Sequence, residues 1–251
     1  FRARLLMDGE TIVDLEPVLG YLHRSKEKLE EERTYAQTVP ITDRMDYLSS
    51  MTNNLACVMT AEKLAGIDVP QRGQYIRVIM AELQRIASHC FALGTFLQDL
   101  GAWASPLMYM LRERESIVDL FELVCGARLT YNYMRIGGVS GDLPPDFFPR
   151  CRELMKNMPK YIDEYEELLL ENEILQVRCR NVGILPAQLA INAGITGPTL
   201  RGSGVDWDLR KADPYLVYDQ FNFTAPIGVG PGDCFDRFWV RLEEMRESVK
   251  I

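Results

Sequence analysis

The sequence predicts a mainly α protein with a small β part: a helical bundle with a β-hairpin at its front and a loop-rich lobe near its end. Three observations carry this. Apolar residues recur at steps of three and four over long stretches. An Asp8-Gly9 pair lies between two short strand-like runs, a strong hairpin signal. Residues 180–233 hold many Gly and Pro and few periodic runs.

The runs 2–7 and 11–15 make the predicted hairpin. Residues 45–66 carry the stripe Leu48, Met51, Leu55, Val58 and Ala61. After Pro70 the stripe Ile76, Ile79, Leu83, Ile86, Cys90, Leu93 and Leu97 predicts one long helix packed on a core. Ser105-Pro106, as N-cap and first helical residue, opens a helix over 107–125. A fourth runs from near Pro145 to about 171 on Cys151, Leu154, Met158, Ile162, Tyr165 and Leu169. A last one starts near Asp233 with Phe235, Phe238, Leu242, Met245 and Val249. Between these two lies the irregular lobe, expected to hold short strands at most. The whole of 1–251 reads as one unit: hairpin 1–20, bundle core 45–171, lobe 180–233 and return helix 234–251. The first residue is not Met and the last helical pattern is unfinished, so the sequence reads as a fragment.

Composition excludes several classes. With 47% hydrophobic and 25% charged residues, the chain can bury a large core and is not disordered. A net charge of -8 argues against a nucleic-acid surface and a polybasic membrane anchor. No run approaches the roughly 20 apolar residues that span a bilayer, so a membrane role would be peripheral. The 6 Cys contain no CxxC pair and read as buried free thiols; with only 2 His, a His-rich metal site is excluded.

No GxGxxG follows a strand, and Walker A, Gly-x-Ser-x-Gly and HExxH motifs are missing. What remains are polar tracts odd for pure packing. Leu22-His23-Arg24-Ser25-Lys26-Glu27-Lys28 reads as a solvated turn and helix start. Arg33-Thr34-Tyr35-Ala36-Gln37 and Thr42-Asp43-Arg44-Met45-Asp46-Tyr47 suit either a polar pocket or a helix cap. Asp99 ends the strongest apolar helix, where a carboxylate opposes the helix dipole unless it is paired, with His89 or an Arg as candidate partner.

In order, these tracts resemble the quinone-site family of complex I, its D-type or 49-kDa subunit, related to nickel–iron hydrogenase large subunits. The resemblance rests on Gly20-Tyr21-Leu22-His23-Arg24, Arg33-Thr34-Tyr35-x-Gln37, Asp43-Arg44-x-Asp46-Tyr47, Arg85-Ile86-Ala87-Ser88-His89 and Asp99-x-Gly101-Ala102. It continues through Arg112-Glu113-Arg114-Glu115, Arg135-x-Gly137-Gly138, Asp142-Leu143-Pro144, Gly202-Ser203-Gly204-x-x-Trp207-Asp208-x-Arg210-Lys211 and Asp236-Arg237 to Glu244-Met245-Arg246. It covers essentially the whole chain and implies a hydrogenase large-subunit-like bundle. Those hydrogenases hold nickel with an Arg-x-Cys-x-x-Cys motif; the similar segment here is Arg44-Met45-Asp46-Tyr47-Leu48-Ser49. One carboxylate and one hydroxyl cannot replace two soft thiolates, so the nickel chemistry is lost.

The resemblance further implies a part in a proton-pumping NADH:quinone oxidoreductase, with quinone as substrate and no cofactor bound by this chain alone. The 4Fe-4S cluster would lie in the adjacent B-type iron–sulfur subunit, with the C-type subunit and the H-type membrane subunit as further partners. The location would be the cytoplasmic face of the cell membrane, or the matrix or stroma side in an organelle. Tyr35 matches the tyrosine that hydrogen-bonds the quinone head group, and Asp99 an aspartate that pairs with a histidine from a tract upstream of residue 1. Arg24 matches an arginine beside the cluster; His23, Arg44, Asp46 and His89 are expected around the pocket. Two departures stand out: Ser25 where the family has Gly, and Thr130 where several members carry a cluster-contacting His. The alternatives are an equivalent subunit of a complex fed by ferredoxin or a reduced deazaflavin, and a non-catalytic scaffold homologue.

Overall fold

The computed structural model describes residues 2–102, 104–170 and 172–251, and all but residues 104, 105, 169 and 170 of these with their side chains. The chain is mainly α with a small β part. Strands β1 (Arg2–Asp8) and β2 (Thr11–Val18) form an antiparallel hairpin. Asp8 pairs with Thr11, so the two-residue loop is Gly9-Glu10, with Gly9 at φ 60 where a glycine is favoured. Every hairpin residue except Val18 is exposed.

Two short helices that periodicity did not show come next: α1 (Lys26–Glu31) and α2 (Tyr35–Thr42). Thr34 and Gln37 make a reciprocal capping box at the start of α2. The expected helix at 45–66 is shorter, α3 (Ser50–Ala65), because residues 43–49 form turns; Gly66 ends it in the left-handed conformation. Helix α4 (Gln71–Asp99) is the longest element. The predicted stripe faces inward, with Ile76, Leu83, Ile86, Cys90, Leu93 and Leu97 all buried.

Helix α5 (Ala104–Cys125) packs along α4, and α6 (Phe147–Tyr165) ends in a π-helical turn, Glu166–Leu170. The proposed Ser105 cap, the stripe position Leu169 and residues 1 and 171 lie outside the described residues or side chains. Gly94 lets α4 and α5 approach: a Cβ there would stand 2.9 Å from Leu107 Cδ1. The return helix α11 (Cys234–Lys250) starts in a capping box made by Asp233 and Asp236. It lies against α4 and α6, so α4 touches α3, α5 and α11 around one core.

The only other described strands are β3 (Met134–Arg135) and β4 (Gly138–Val139), which pair between α5 and α6. The loop-rich lobe contains no strand among the described residues, contrary to the short strands allowed for it. It holds the short helices α7 (Glu173–Cys179), α8 (Ala187–Asn192), α9 (Gly197–Gly202) and α10 (Leu209–Ala212), and a 3-10 turn at Tyr218–Gln220. Its Gly and Pro residues break what would otherwise be longer helices. Close backbone contact also demands them: a Cβ on Gly228 would lie 2.3 Å from Gly202 O.

Candidate functional site

Helix α2 runs antiparallel to α3. Thr38 Oγ1 lies 3.7 Å from Cys57 Sγ, and Asn54 Nδ2 donates to Val39 O and to Thr42 Oγ1. The chain then turns through Asp43–Ser49 and enters α3. Ser50 Oγ donates to Asp43 O at 2.9 Å, and Asp46 Oδ1 accepts from Leu48 N at 3.1 Å. Helix α4 staples this turn from the other side, through Gln84 Nε2 to Leu48 O at 2.7 Å and Ser49 Oγ to Ser88 Oγ at 3.3 Å. Asp46 and Tyr47 face outward. Residues 44–49 therefore form an oxygen-rich turn held between helices, with a phenol at its surface.

A cavity of about 300 Å³ opens beside the turn, lined by Arg24, Lys26, Leu29, Pro40, Ile41 and Arg44. Arg24 Nη2 donates to Arg44 O at 3.4 Å, and Lys26 Nζ donates to the same carbonyl. Partial burial, with Arg24 and Arg44 close by, pulls the Lys26 ammonium below its usual pKa. Three cations thus share one wall, which favours an anionic neighbour. His23 Nδ1 accepts from Ser25 N, and its Nε2 lies 3.2 Å from Glu27. Ser25 adopts φ 51, so the family's Gly position does require the left-handed region.

Arg24 and Arg44 are thus brought together, with Asp46 two residues further along the turn, whereas Tyr35 is not among them. It opens α2 at the end away from the turn, 65% exposed, and seven helical residues separate it from Asp43. The phenol in the turn is Tyr47. Asp99 is the last residue of α4, exposed and without an ion-pair partner among the described residues. It lies 11 residues beyond Ser88, about 16 Å along the helix.

His89 does not pair with Asp99. It points to α11, where its Nε2 lies 2.7 Å from Glu244 Oε2. Burial lowers the His89 pKa against the pull of Glu244, so the neutral ring donates its Nε2–H. Glu244 also accepts from Arg201 Nε at 3.0 Å; burial would raise its pKa, but His89 and Arg201 hold it well below the carboxylate range. The pair belongs to a larger buried network. Asp208 binds Arg210, and Arg210 binds Glu82, which also accepts from Arg85, Tyr218 and Ser248. His89 therefore serves the core.

Two members of the site region carry little signal in the sequence. Lys26 stands out only as one charge in a basic tract. Asp43 is wholly buried at the end of α2, and burial pushes its carboxyl up to about 6. Its only signal is an acid following the buried Thr38, Val39 and Thr42 side of α2. Among the described residues, no group of three or more His, Cys, Asp or Glu side chains is placed to hold a metal ion.

Residues 99–251 match the family described as the respiratory-chain NADH dehydrogenase 49-kDa subunit. The chain is 58% identical to the D subunit of NADH-quinone oxidoreductase from Dehalococcoides mccartyi, over all of this chain and 68% of that protein. It is 56% identical to the D 1 subunit from Roseiflexus sp. and 53% identical to the D subunit from Clostridium beijerinckii. Each match covers all of this chain and 67% of the relative.

Proposed function

The chain belongs to the 49-kDa subunit family of the respiratory-chain NADH dehydrogenase, and from that premise we propose that it forms one side of a quinone-reduction pocket. The observation that carries this reading is the Arg44–Ser49 turn. It offers oxygen groups where hydrogenase relatives hold nickel thiolates, lies at the surface, and is fixed by Gln84 and Ser88 of α4. The B-type iron–sulfur subunit supplies the other wall and the 4Fe-4S cluster from which electrons arrive. The C-type and H-type subunits complete the surroundings, the latter in the membrane. No described helix is long and apolar enough to cross a membrane, so in this reading the chain attaches peripherally, at the cytoplasmic face or its organellar equivalent.

Quinone takes up two electrons and two protons, so the pocket must stabilise a developing negative charge and deliver protons. A phenol in the turn donates a hydrogen bond to the head-group oxygen, which strengthens as charge builds, and can pass its proton on. Family resemblance singled out Tyr35 for this task; position favours Tyr47, which lies in the same turn as Asp46 and Ser49. The cations Arg24, Lys26 and Arg44 raise the potential on the side where electrons enter. Asp99, exposed at the end of α4, serves by pairing with a histidine that delivers protons.

The test compares Tyr47→Phe and Tyr35→Phe in the assembled complex. Tyr47→Phe should cut quinone reduction by about 100-fold, while NADH oxidation by an artificial acceptor stays intact. A loss confined to Tyr35→Phe would move the head group to the start of α2. Unchanged quinone turnover in both would contradict the pocket.

A further inference from the structure

Buried guanidinium groups elsewhere in this fold are matched by carboxylates: Arg77 meets Glu62, Arg201 meets Glu244, and Arg210 meets Glu82 and Asp208. Two arginines one turn apart on α11 break that pattern. Arg237 is anchored by neutral carbonyls, its Nη1 donating to Gly232 O at 2.7 Å and its Nη2 to Gly183 O at 2.8 Å. Half-buried Arg241 donates from Nη1 to Arg237 O at 2.8 Å and from Nη2 to Thr199 Oγ1 at 3.4 Å. These bonds use two of its five N–H groups and bring no negative charge. Neither arginine forms an ion pair among the described residues. Glu244, three residues beyond Arg241, is engaged by His89 and Arg201 instead. Burial lowers the Arg241 pKa; Glu244 pulls it back, and Arg237 and Arg201 push it down again.

Both arginines line a cavity of about 330 Å³ between α4, α9 and α11. Its other walls are largely apolar: Ala92, Leu93 and Phe96 from α4 and Phe238 from α11, with the Phe96 and Phe238 rings 6.4 Å apart. Leu93 and Phe238 are buried whereas Ala92 is exposed, so the cavity opens beside Ala92. A guanidinium facing an apolar hollow without a counter-charge is costly, and an anion placed there gains a charge-assisted bond. The planar fork of a guanidinium fits a carboxylate, whose two oxygens accept in parallel. The apolar walls favour a ligand with a carbon body over a bare, strongly hydrated phosphate.

We propose that this cavity binds a small carboxylic acid as its monoanion, with the carboxylate on Arg241 and the apolar body against Phe96 and Phe238. Arg237, held by two carbonyls, adds a fixed positive field. The Thr199 hydroxyl accepts from Arg241 and keeps its own O–H for the second carboxylate oxygen. The site uses no residue of the Arg44–Ser49 turn, so the assignment does not depend on what that turn binds.

The test is isothermal titration calorimetry of the full-length protein with 3-phenylpropionate, its neutral amide and inorganic phosphate. The first carries charge and body, the second the body alone, the third the charge alone. Phenylpropionate should bind with a Kd of about 0.1–1 mM, and the other two at least about 10-fold more weakly. Arg241→Gln should weaken phenylpropionate by about 10-fold or more. Ala92→Trp, an exposed change at the opening, should block it. Arg4→Gln, on the exposed hairpin, should leave it unchanged and so control for loose binding to apolar surface. No phenylpropionate binding up to about 10 mM would overturn the proposal. So would phosphate or the amide binding as tightly, an undiminished affinity in Arg241→Gln, or an equal loss in Arg4→Gln. If Arg241→Gln does not fold, Ala92→Trp decides: undiminished binding in that variant counts against the site.

Discussion

Replacing Glu244 by Gln tests whether the buried network is balanced charge by charge. Arg85, Arg201 and Arg210 pair with Glu82, Asp208 and Glu244; His89 is neutral, and Arg241 lies near Glu244 without pairing with it. Glu244 is fully buried and serves both His89 and Arg201. Glu244→Gln keeps the shape but leaves one buried guanidinium in excess. Breaking a buried pair from one side costs about 3–5 kcal/mol. For a chain of this size that lowers the melting temperature by roughly 6–20 °C. His89→Gln removes one hydrogen bond to a charged group and should cost less, about 1.5–3 kcal/mol. The assay is denaturant unfolding of the full-length protein, with the double variant Glu244→Gln/Arg201→Gln closing a cycle. The double variant should be more stable than the sum of its singles predicts. A loss under about 1 kcal/mol for Glu244→Gln would refute the reasoning, since a buried guanidinium cannot lose its counter-charge so cheaply.

Two further outcomes follow from backbone and burial. Ser25→Gly should stabilise by about 0.5–1 kcal/mol, because Ser25 occupies φ 51; no gain in unfolding midpoint would mean that the His23 contact outweighs the strain. Burial raises the Asp43 carboxyl from 3.8 to about 6, so its contribution is full below pH about 4 and lost as pH rises through about 6. Between pH 4 and pH 7 the natural protein should lose about 2.5 kcal/mol of stability relative to Asp43→Asn. A difference that stays flat would show that Asp43 does not titrate abnormally. Glu82, held at about 2 because Arg85 and Arg210 outweigh its burial, runs the other way but cancels in the comparison.

The long helices are legible because burial writes a period into the sequence: the seven-position stripe of α4 needs no tertiary information. The short helices α1 and α2 are not, since eight residues hold too few turns to establish a period. The capping pair Thr34 and Gln37 is the better signal. In the candidate site, the Arg44–Ser49 segment is picked out by its resemblance to the hydrogenase nickel motif, since the residue types alone suit a pocket or a helix cap equally. Position cannot: that Tyr35 and the turn occupy opposite ends of α2 depends on where a helix bounded by Thr34 and Asp43 begins. His89 misleads for a related reason. Its partner Glu244 lies 155 residues away on α11, and only folding chooses between that carboxylate and Asp99.

The hairpin at the front of the chain has a consequence for the life of the protein in a cell. Leu5, Leu6, Met7, Ile12, Val13 and Leu15 all remain 45–61% exposed on two strands with open edges. An isolated two-stranded ribbon is marginal in water, and apolar open edges recruit other strands. Copies made in excess of their complex would therefore be the first to clump or to be cleared by proteolysis, so matched synthesis of the partner chains protects this one in particular.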